Sequence, residues 1–171
     1  DTSVEIDERT MREIYLRGFE IAVKKAQPDS IMCAYNKVNS VWCSEHSQLL
    51  RKILKDEWGF EGFVVSDWGA VHNICRAVMA GLDLQMPPNG NIVDEIKKGL
   101  SDGTLTEAAL DGAVERVLRL AALPVPKETE AYNRAALHEV AREVAAAGMV
   151  LLKNENNTLP LTSGKYKKIC V

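Results

Sequence analysis

The sequence predicts an α/β fold built from parallel βα units, and two observations support this. Short apolar runs without alternation, typical of strands covered on both faces, are interspersed with longer segments whose apolar residues recur every three or four positions. The joins between them are short, which favours parallel strands with helices packed over them. The composition of the 171 residues, 46% hydrophobic and 26% charged, is that of an ordinary globular protein.

Five helices are predicted in the first 123 residues. Asp7 is suited to cap the start of the first helix, and Pro28 follows its end. Ser44 is expected to cap the second helix and Gly59 to end it. The predicted helices cover residues 7–26, 44–59, 72–79, 92–100 and 107–122.

Three short apolar runs, residues 30–35, 62–66 and 82–86, are predicted as strands. Residues 36–40, which follow the first run, are expected to form a loop. A complete (β/α)8 barrel usually takes about 250 residues. If these units belong to a barrel, we therefore expect them to be only a part of one.

The composition changes at Pro124. Residues 124–132 contain two prolines and several charges without apolar periodicity, which is typical of a linker. Beyond it the sequence predicts an Ala-rich helix over residues 134–152 and the opening of a strand at residues 168–171. We therefore expect three parts: βα units in residues 1–123, a linker in 124–132, and the start of a second domain in 133–171.

Charge and composition argue against several kinds of partner and cofactor. The net charge is -3, and the sequence contains no extended run of Lys and Arg, so no nucleic acid partner is expected. The longest apolar stretch, residues 144–152, is too short to cross a membrane. The three histidines are far apart and lack a metal-binding spacing, so neither a metal nor a cofactor is predicted. The oligomeric state is left open.

The cysteine pattern and the first residues of the sequence indicate the cellular compartment of the protein. The four cysteines lack C-x-x-C spacing and lie in or near apolar segments, so buried free thiols are expected. The sequence begins at Asp1 with a polar run and has no signal-peptide pattern. Both features favour a cytoplasmic location.

The first candidate for chemistry follows the second predicted strand. Asp67 and Trp68 stand between this strand and the next helix, and in βα barrels the loops at the carboxyl ends of the strands form the active site. A carboxylate can attack an oxocarbenium-like centre, and an indole can stack on the apolar face of a sugar ring. Asp67 is therefore the predicted nucleophile. A purely structural interpretation is that Asp67 caps the following helix.

Further candidates lie at the ends of the first and third predicted strands. Met32 and Tyr35 would open onto the same edge as Asp67 if the strands are parallel neighbours, where they could line a pocket. The alternative is that both are ordinary packing residues. Asp83 and Met86 are expected at the end of the third strand, level with Asp67 along the strand direction. Asp83 is expected to hold neighbouring loops together and not to act as a general acid or base.

Four segments together carry a resemblance to a known family. They are residues 31–39, 49–70, 80–87 and 145–154, and the second of them contains Ser66-Asp67-Trp68. In this order they closely resemble glycoside hydrolase family 3, particularly its β-glucosidase-like members. The resemblance covers nearly the whole sequence, and it is specific because four motifs occur together.

The resemblance implies an exo-acting, retaining hydrolase that removes non-reducing-end β-linked sugars, with a carbohydrate as its partner. It assigns the nucleophile to Asp67 and places Met32, Tyr35 and Trp68 around the sugar subsite. Retention would proceed through a covalent glycosyl-enzyme, with a second carboxylate about 5 Å away as acid and base. In similar family members that carboxylate is a glutamate of the following α/β sandwich domain, which we expect beyond Val171.

The resemblance also implies which part of a parent protein this sequence represents. We expect an α/β protein that forms the C-terminal portion of a TIM-like (β/α)8 barrel, followed by a linker and the first helix of an α/β sandwich domain. With an open strand edge, such a fragment is expected to be poorly folded and inactive alone. A non-hydrolytic carbohydrate-binding homologue and a remnant without function stay open as alternatives, because fold alone does not separate them.

Overall fold

The structure, a computed structural model, describes residues 2–124, 132–165 and 168. The chain divides into two compact units, Asp1–Pro124 and Val125–Val171, and each is described by itself. The first unit mixes helices and strands, whereas the described part of the second is helical with connecting turns.

The secondary structure of the first unit is largely as the sequence predicts. Its strands are β1 (Ser3–Val4), β2 (Ser30–Cys33), β3 (Lys37–Val38), β4 (Val41–Trp42) and β5 (Phe63–Ser66). Helix α1 covers residues 8–26 as three consecutive segments, Glu8–Thr10, Met11–Tyr15 and Arg17–Ala26. The other helices are α2 (Gln48–Glu57), α3 (Ile74–Ala80), α4 (Ile92–Asp102) and α5 (Glu107–Ala121). Helix α2 and the middle segment of α1 are π-helical, which the apolar spacing did not indicate.

The start of α1 is capped as predicted. The side chain of Asp7 accepts a hydrogen bond from the backbone N–H of Thr10 at 3.0 Å, which satisfies one donor of the first turn. At the other end Gln27 adopts a left-handed conformation directly before Pro28. Helix α1 therefore occupies the predicted residues.

Strands β2 and β5 are parallel neighbours and form the central pairing of the first unit. Ser30 lies opposite Phe63, and Cys33 lies opposite Ser66. The third predicted strand, residues 82–86, is reduced to a single parallel bridge between Leu84 and Val65. This segment therefore runs parallel to β5, as predicted, but its paired part is much shorter than predicted.

The main hydrophobic core lies between this pairing and the helices. Val64 of β5 and Cys33 of β2 are buried against helical side chains and Leu82. The helical members of this core are Val23 of α1, Leu50 and Leu54 of α2, and Ala77 of α3. A second cluster joins α3, α4 and α5 around Leu105. Burial of each large aliphatic side chain stabilises the fold by about 1.5–3 kcal/mol, so the first cluster holds α1, α2 and α3 over one face of the sheet and the second joins α4 and α5 to α3.

Residues 36–40, predicted as a loop, instead form part of a β-hairpin. β3 and β4 pair antiparallel, and Asn39 and Ser40 between them have φ values of 48° and 68°. Two residues with positive φ form the tight turn that suits hairpin twist, and asparagine tolerates it well. The side chain of Asn39 also bonds the backbone N–H and carbonyl of Ile6, while β1 pairs parallel to β3. These long-range partners explain why local sequence predicted only a loop.

Ser44 does not cap the second helix, in contrast to the prediction. It lies in a 3-10 turn, Cys43–Glu45, and its buried hydroxyl donates to the carbonyl of Ala70 at 2.9 Å. Helix α2 begins only at Gln48. Near its start, the backbone N–H of Leu49 donates to Nδ1 of His46 at 3.4 Å. A histidine therefore performs part of the capping that was expected of a serine.

The second unit contains helix α6 (Arg134–Gly148), capped by Asn133 through the N–H of Ala136 at 3.2 Å, and a 3-10 turn at Glu155–Asn157. The predicted helix continued to residue 152, but Met149 is extended after Gly148, whose helix propensity is poor. Residues 125–131 of the predicted linker, and the predicted strand at 168–171 apart from Lys168, lie outside the described residues. In the part of the protein that is described, no helix has the length and apolar character needed to cross a membrane.

Three of the four cysteines can be placed. Cys33, Cys43 and Cys75 are buried free thiols, as the sequence predicts. Cys170 lies outside the described residues.

Candidate active site

Asp67 lies at the carboxyl end of β5 and extends its pairing with β2 by one residue. Its backbone N–H donates to the carbonyl of Cys33 at 3.2 Å. Side chains alternate between the two faces of a strand, and Val64 and Cys33 face the helical core. Val65 and Asp67 therefore lie on the opposite face, together with Met32, the partner of Val65.

The carboxylate of Asp67 is not used to cap a helix. Its Oδ1 accepts one hydrogen bond, at 2.6 Å, from the backbone N–H of the next residue, Trp68. Helix α3 begins at Ile74, and its N-cap is Asn73, whose side chain accepts from the N–H of Arg76 at 2.9 Å. The capping interpretation of Asp67 is therefore wrong.

A tight turn presents Trp68 beside Asp67. Gly69 has a φ of 77°, a conformation that glycine adopts without strain, and its N–H donates to the carbonyl of Met86 at 3.0 Å. The N–H of Ala70 closes the turn on the carbonyl of Asp67 at 3.1 Å. The side chain of Trp68 stays 67% exposed, so its indole ring is accessible to a ligand.

Met32 and Tyr35 lie at the carboxyl end of the neighbouring strand and are also accessible, at 60% and 57% exposed. Met32 shares the face of Asp67 through the sheet register. Tyr35 lies two residues beyond β2, and among the described residues no hydrogen bond or ring contact joins it to Asp67. All four predicted site residues thus lie at one edge of the parallel pairing, and Met32 and Asp67 share one face of it.

Asp83 is not at the height of Asp67, contrary to the prediction, but it does hold neighbouring segments together. Its carboxylate is 1% exposed and contacts Lys55 Nζ at 2.7 Å and Arg116 Nη1 at 3.0 Å. It also accepts a hydrogen bond from the backbone N–H of Val64 at 2.8 Å, well below the carboxyl end of β5. A carboxylate satisfied by two cations and an N–H has no access to a substrate.

Burial sets the protonation of two groups near these aspartates. Burial lowers the pKa of Lys55, and the hydrogen bond to Asp83 works in the opposite direction. Burial raises the pKa of the Cys33 thiol to about 11. Cys33 therefore stays protonated at neutral pH, and its thiol is a poor nucleophile.

The β3–β4 hairpin supports the segment that follows Asp67, which the sequence did not indicate. The ring of Trp42 stacks on His72 at 3.8 Å between centroids, and Lys37 Nζ lies 4.4 Å from the Trp42 ring centroid. Glu45 Oε1 accepts from the N–H of Asn73 at 3.0 Å. The Trp42–His72 and Glu45–Asn73 contacts join residues about thirty positions apart, so no local pattern reveals them. Within the described ranges, no group of three or more His, Cys, Asp or Glu is placed to hold a metal ion.

Parallel strands with helices over one face, and a partly exposed carboxylate and an exposed indole at their carboxyl edge, are typical of α/β barrel domains, in which the candidate site lies at the strand ends. The chain belongs to the family described as the glycosyl hydrolase family 3 N terminal domain, and residues 2–120 match it. The domain of this family has a TIM-barrel-type fold, as the sequence resemblance implies.

Similar proteins agree with this assignment. The chain is 52% identical over 159 residues to thermostable beta-glucosidase B of Acetivibrio thermocellus, covering 91% of this chain and 21% of that protein. It is 42% identical over 164 residues to an exo-alpha-(1->6)-L-arabinopyranosidase of Bifidobacterium breve, covering 93% and 21%. The structure of beta-glucosidase 3B from Thermotoga neapolitana in complex with glycerol matches with a TM-score of 0.75 and 43% identity, over 94% of this chain and 24% of that one.

The chain thus spans about a fifth of the length of these two relatives. The Thermotoga neapolitana enzyme is also known in complex with glucose, and that structure matches with a TM-score of 0.72 and 41% identity, over 94% of this chain and 24% of that one.

Proposed function

We propose that the protein to which these residues belong is a retaining exo-glycoside hydrolase. It releases non-reducing-end β-linked glucose or a related sugar through a covalent intermediate on Asp67. The observation that carries the proposal is the partly exposed carboxylate of Asp67, which directly follows β5, beside the exposed indole of Trp68. Family membership and the glucosidase names of the relatives support the same chemistry.

In the first step, an oxygen of Asp67 attacks the anomeric carbon of the bound sugar. The bond from that carbon to the leaving oxygen breaks through an oxocarbenium-like transition state, and a second carboxylic acid gives its proton to the leaving group. In the second step, the second carboxyl group, now ionised, takes a proton from water. The water oxygen displaces Asp67 and restores the original configuration, so two inversions give retention.

The surroundings of Asp67 suit a nucleophile. Among the described residues, no cation forms an ion pair with it, whereas Asp83 is held by Lys55 and Arg116. A lone pair on the carboxylate is therefore not committed to a buried charge. Trp68 would stack on the apolar face of the sugar, and Met32 would contact it from the neighbouring strand.

The second carboxylate is proposed to be a glutamate of the α/β sandwich domain that follows in family members. Residues 1–123 would then be the C-terminal portion of the barrel, residues 124–132 the linker, and residues 133–171 the start of the sandwich. Retaining enzymes need the two carboxylates about 5–5.5 Å apart, so both domains must be present for turnover.

We propose that residues 1–171 by themselves are inactive and poorly folded. An apolar groove of about 340 Å³ lies open between α1 and α2, and Tyr15 and Phe19 on its wall are more than half exposed. One edge of β2 carries no partner strand in the described part of the protein. Exposed apolar surface and an open strand edge both promote aggregation.

The sugar is proposed to be glucose, with the arabinopyranosidase among the relatives as the reason to include related sugars. The free thiols of Cys33, Cys43 and Cys75 fit a reducing, cytoplasmic compartment.

The test is to incubate the full-length protein with a 2-deoxy-2-fluoro β-glucoside and map the modified peptide by mass spectrometry. The expected result is one adduct on the peptide that carries Asp67, absent in Asp67→Asn. Turnover of an aryl β-glucoside with an adduct elsewhere would refute the role of Asp67. Sugar binding without turnover or adduct would favour a non-hydrolytic carbohydrate-binding protein instead.

A further inference from the structure

Ser66, the residue before Asp67, has a buried side chain that makes two hydrogen bonds to one residue. Its hydroxyl accepts from the backbone N–H of Met86 at 2.8 Å and donates to the backbone carbonyl of Met86 at 3.1 Å. Ser66 is 1% exposed, so this contact is shielded from water. One hydroxyl thus satisfies both polar groups of the Met86 backbone.

This contact replaces a missing part of the sheet. Regular pairing between β5 and residues 82–86 is limited to the bridge from Val65 to Leu84, followed by the N–H of Ser66 donating to the carbonyl of Leu84 at 2.9 Å. Beyond that point the hydroxyl of Ser66 bonds both polar groups of the Met86 backbone, and the next direct backbone bond between the two segments, from Gly69 to Met86, comes three residues later. Without this hydroxyl, the N–H of Met86 would lose its hydrogen bond to β5, and only Gly69 would still bond the Met86 carbonyl.

The segment that carries Asp67 is therefore held to Met86 at both ends. Ser66 bonds Met86 on one side, and the N–H of Gly69 donates to the same Met86 carbonyl on the other. Asp67 and Trp68 lie between these two attachments. On the opposite flank, the N–H of Asp67 is bonded to Cys33 of β2.

We propose that Ser66 is a positioning residue for the nucleophile: its hydroxyl fixes the backbone of Asp67 so that the carboxylate meets the anomeric carbon. This inference rests on the proposed function. A displacement of about 1 Å at a reacting group costs on the order of 100-fold in rate. Loss of the hydroxyl therefore slows attack by Asp67 more than it weakens stacking of the sugar on Trp68, because attack requires the stricter geometry.

The experiment uses the full-length protein and Ser66→Ala. Three quantities are measured: the rate constant for inactivation by a 2-deoxy-2-fluoro β-glucoside, the dissociation constant of glucose as a competitive inhibitor, and the midpoint of thermal unfolding. The inactivation rate constant is expected to fall about 10- to 100-fold, with glucose affinity within about twofold of wild type. A Ser66→Thr variant keeps the hydroxyl and is expected to recover much of the lost rate.

Ser44→Ala is the matched control. Ser44 is equally buried, and its hydroxyl also donates to a backbone carbonyl, that of Ala70, three residues beyond Asp67. It is expected to lower the unfolding midpoint while changing the inactivation rate constant less than threefold. If Ser66→Ala does not fold, Ser66→Cys keeps the side-chain volume with weaker hydrogen bonds, and the same loss of rate is expected.

Two results would overturn the inference. One is a Ser66→Ala protein that is labelled at the wild-type rate. The other is an equal loss of rate in Ser44→Ala, which would show that the slower inactivation comes from a general loss of stability and not from the position of Asp67. Failure of the wild-type protein itself to be labelled would instead contradict the proposed function.

Discussion

Two aspartates, one directly after a predicted strand and one inside another, have opposite environments in the fold. Asp67 ends β5 with an accessible carboxylate that accepts one hydrogen bond from its neighbour. Asp83 lies beside Val64, 1% exposed, and is bound by Lys55, Arg116 and a backbone N–H. The carboxylate of Asp67 is thus free to react with a ligand, whereas that of Asp83 serves to stabilise the fold. Accessibility and missing partners, rather than residue type, distinguish a candidate nucleophile from a structural anion.

The largest expected effect is on Asp67. Asp67→Asn in the full-length protein is expected to lower turnover of an aryl β-glucoside by roughly 10⁴-fold or more, because the amide is a poor nucleophile. The unfolding midpoint is expected to stay within about 2 °C, since the carboxylate makes no buried interaction. Steady-state kinetics and a thermal scan on one preparation measure both. If Asp67→Asn turned over the glucoside at nearly the wild-type rate, Asp67 would not be the nucleophile, and the functional difference between Asp67 and Asp83 would not hold.

The converse result is expected for Asp83. Asp83→Ala leaves Lys55 buried without its carboxylate, and removal of one partner from a buried ion pair costs about 3–5 kcal/mol in free energy of unfolding. Denaturant titration of the full-length protein would measure the loss. Glu115→Ala is the control, because solvent screens the exposed Glu115–Arg119 pair and it contributes little to stability. Equal losses in both variants would contradict a structural role for Asp83.

A smaller effect is expected for Trp68. Trp68→Ala is expected to lower kcat/KM for a β-glucoside about tenfold, or about 1.4 kcal/mol, without lowering the unfolding midpoint, because the indole is exposed. Trp42→Ala is the matched control, since the Trp42 ring stacks on His72 and contacts Lys37. That variant is expected to lose stability instead. A larger kinetic loss in Trp42→Ala would place the sugar contact in the hairpin.

The smallest effect is a pH dependence of stability from His46. Burial lowers the pKa of His46, and its Nδ1 accepts the N–H of Leu49, so the folded protein favours the neutral ring. The stabilisation from a neutral ring is complete above the ordinary pKa of about 6.5 and is lost as the pH falls below it. Unfolding midpoints measured from pH 7.5 to 5.5 should fall less steeply in His46→Gln. If the midpoint of His46→Gln fell with pH as steeply as that of the wild type, protonation of His46 would not be the cause of the lost stability.

Local sequence patterns were sufficient for most of the helices and for the two strands that carry the site. The caps at Asp7 and Gly81 have local causes, a side-chain acceptor for a free N–H and a left-handed glycine with φ of 114°. Predictions were wrong where partners are distant. Ser44 bonds Ala70 rather than a helix, and the β3–β4 hairpin depends on contacts with Ile6 and β1.

The sequence by itself determined the order of βα units, the family and the pair Asp67-Trp68 at a strand end. Its periodicity and motifs are properties of neighbouring residues, so they can be recognised without the fold. Only the tertiary structure decided that Asp83 is enclosed by Lys55 and Arg116, and that Ser66 bonds Met86 across the sheet. The reason is physical: burial, ion pairing and cross-strand hydrogen bonds depend on residues that are far apart in the sequence and meet only when the protein folds.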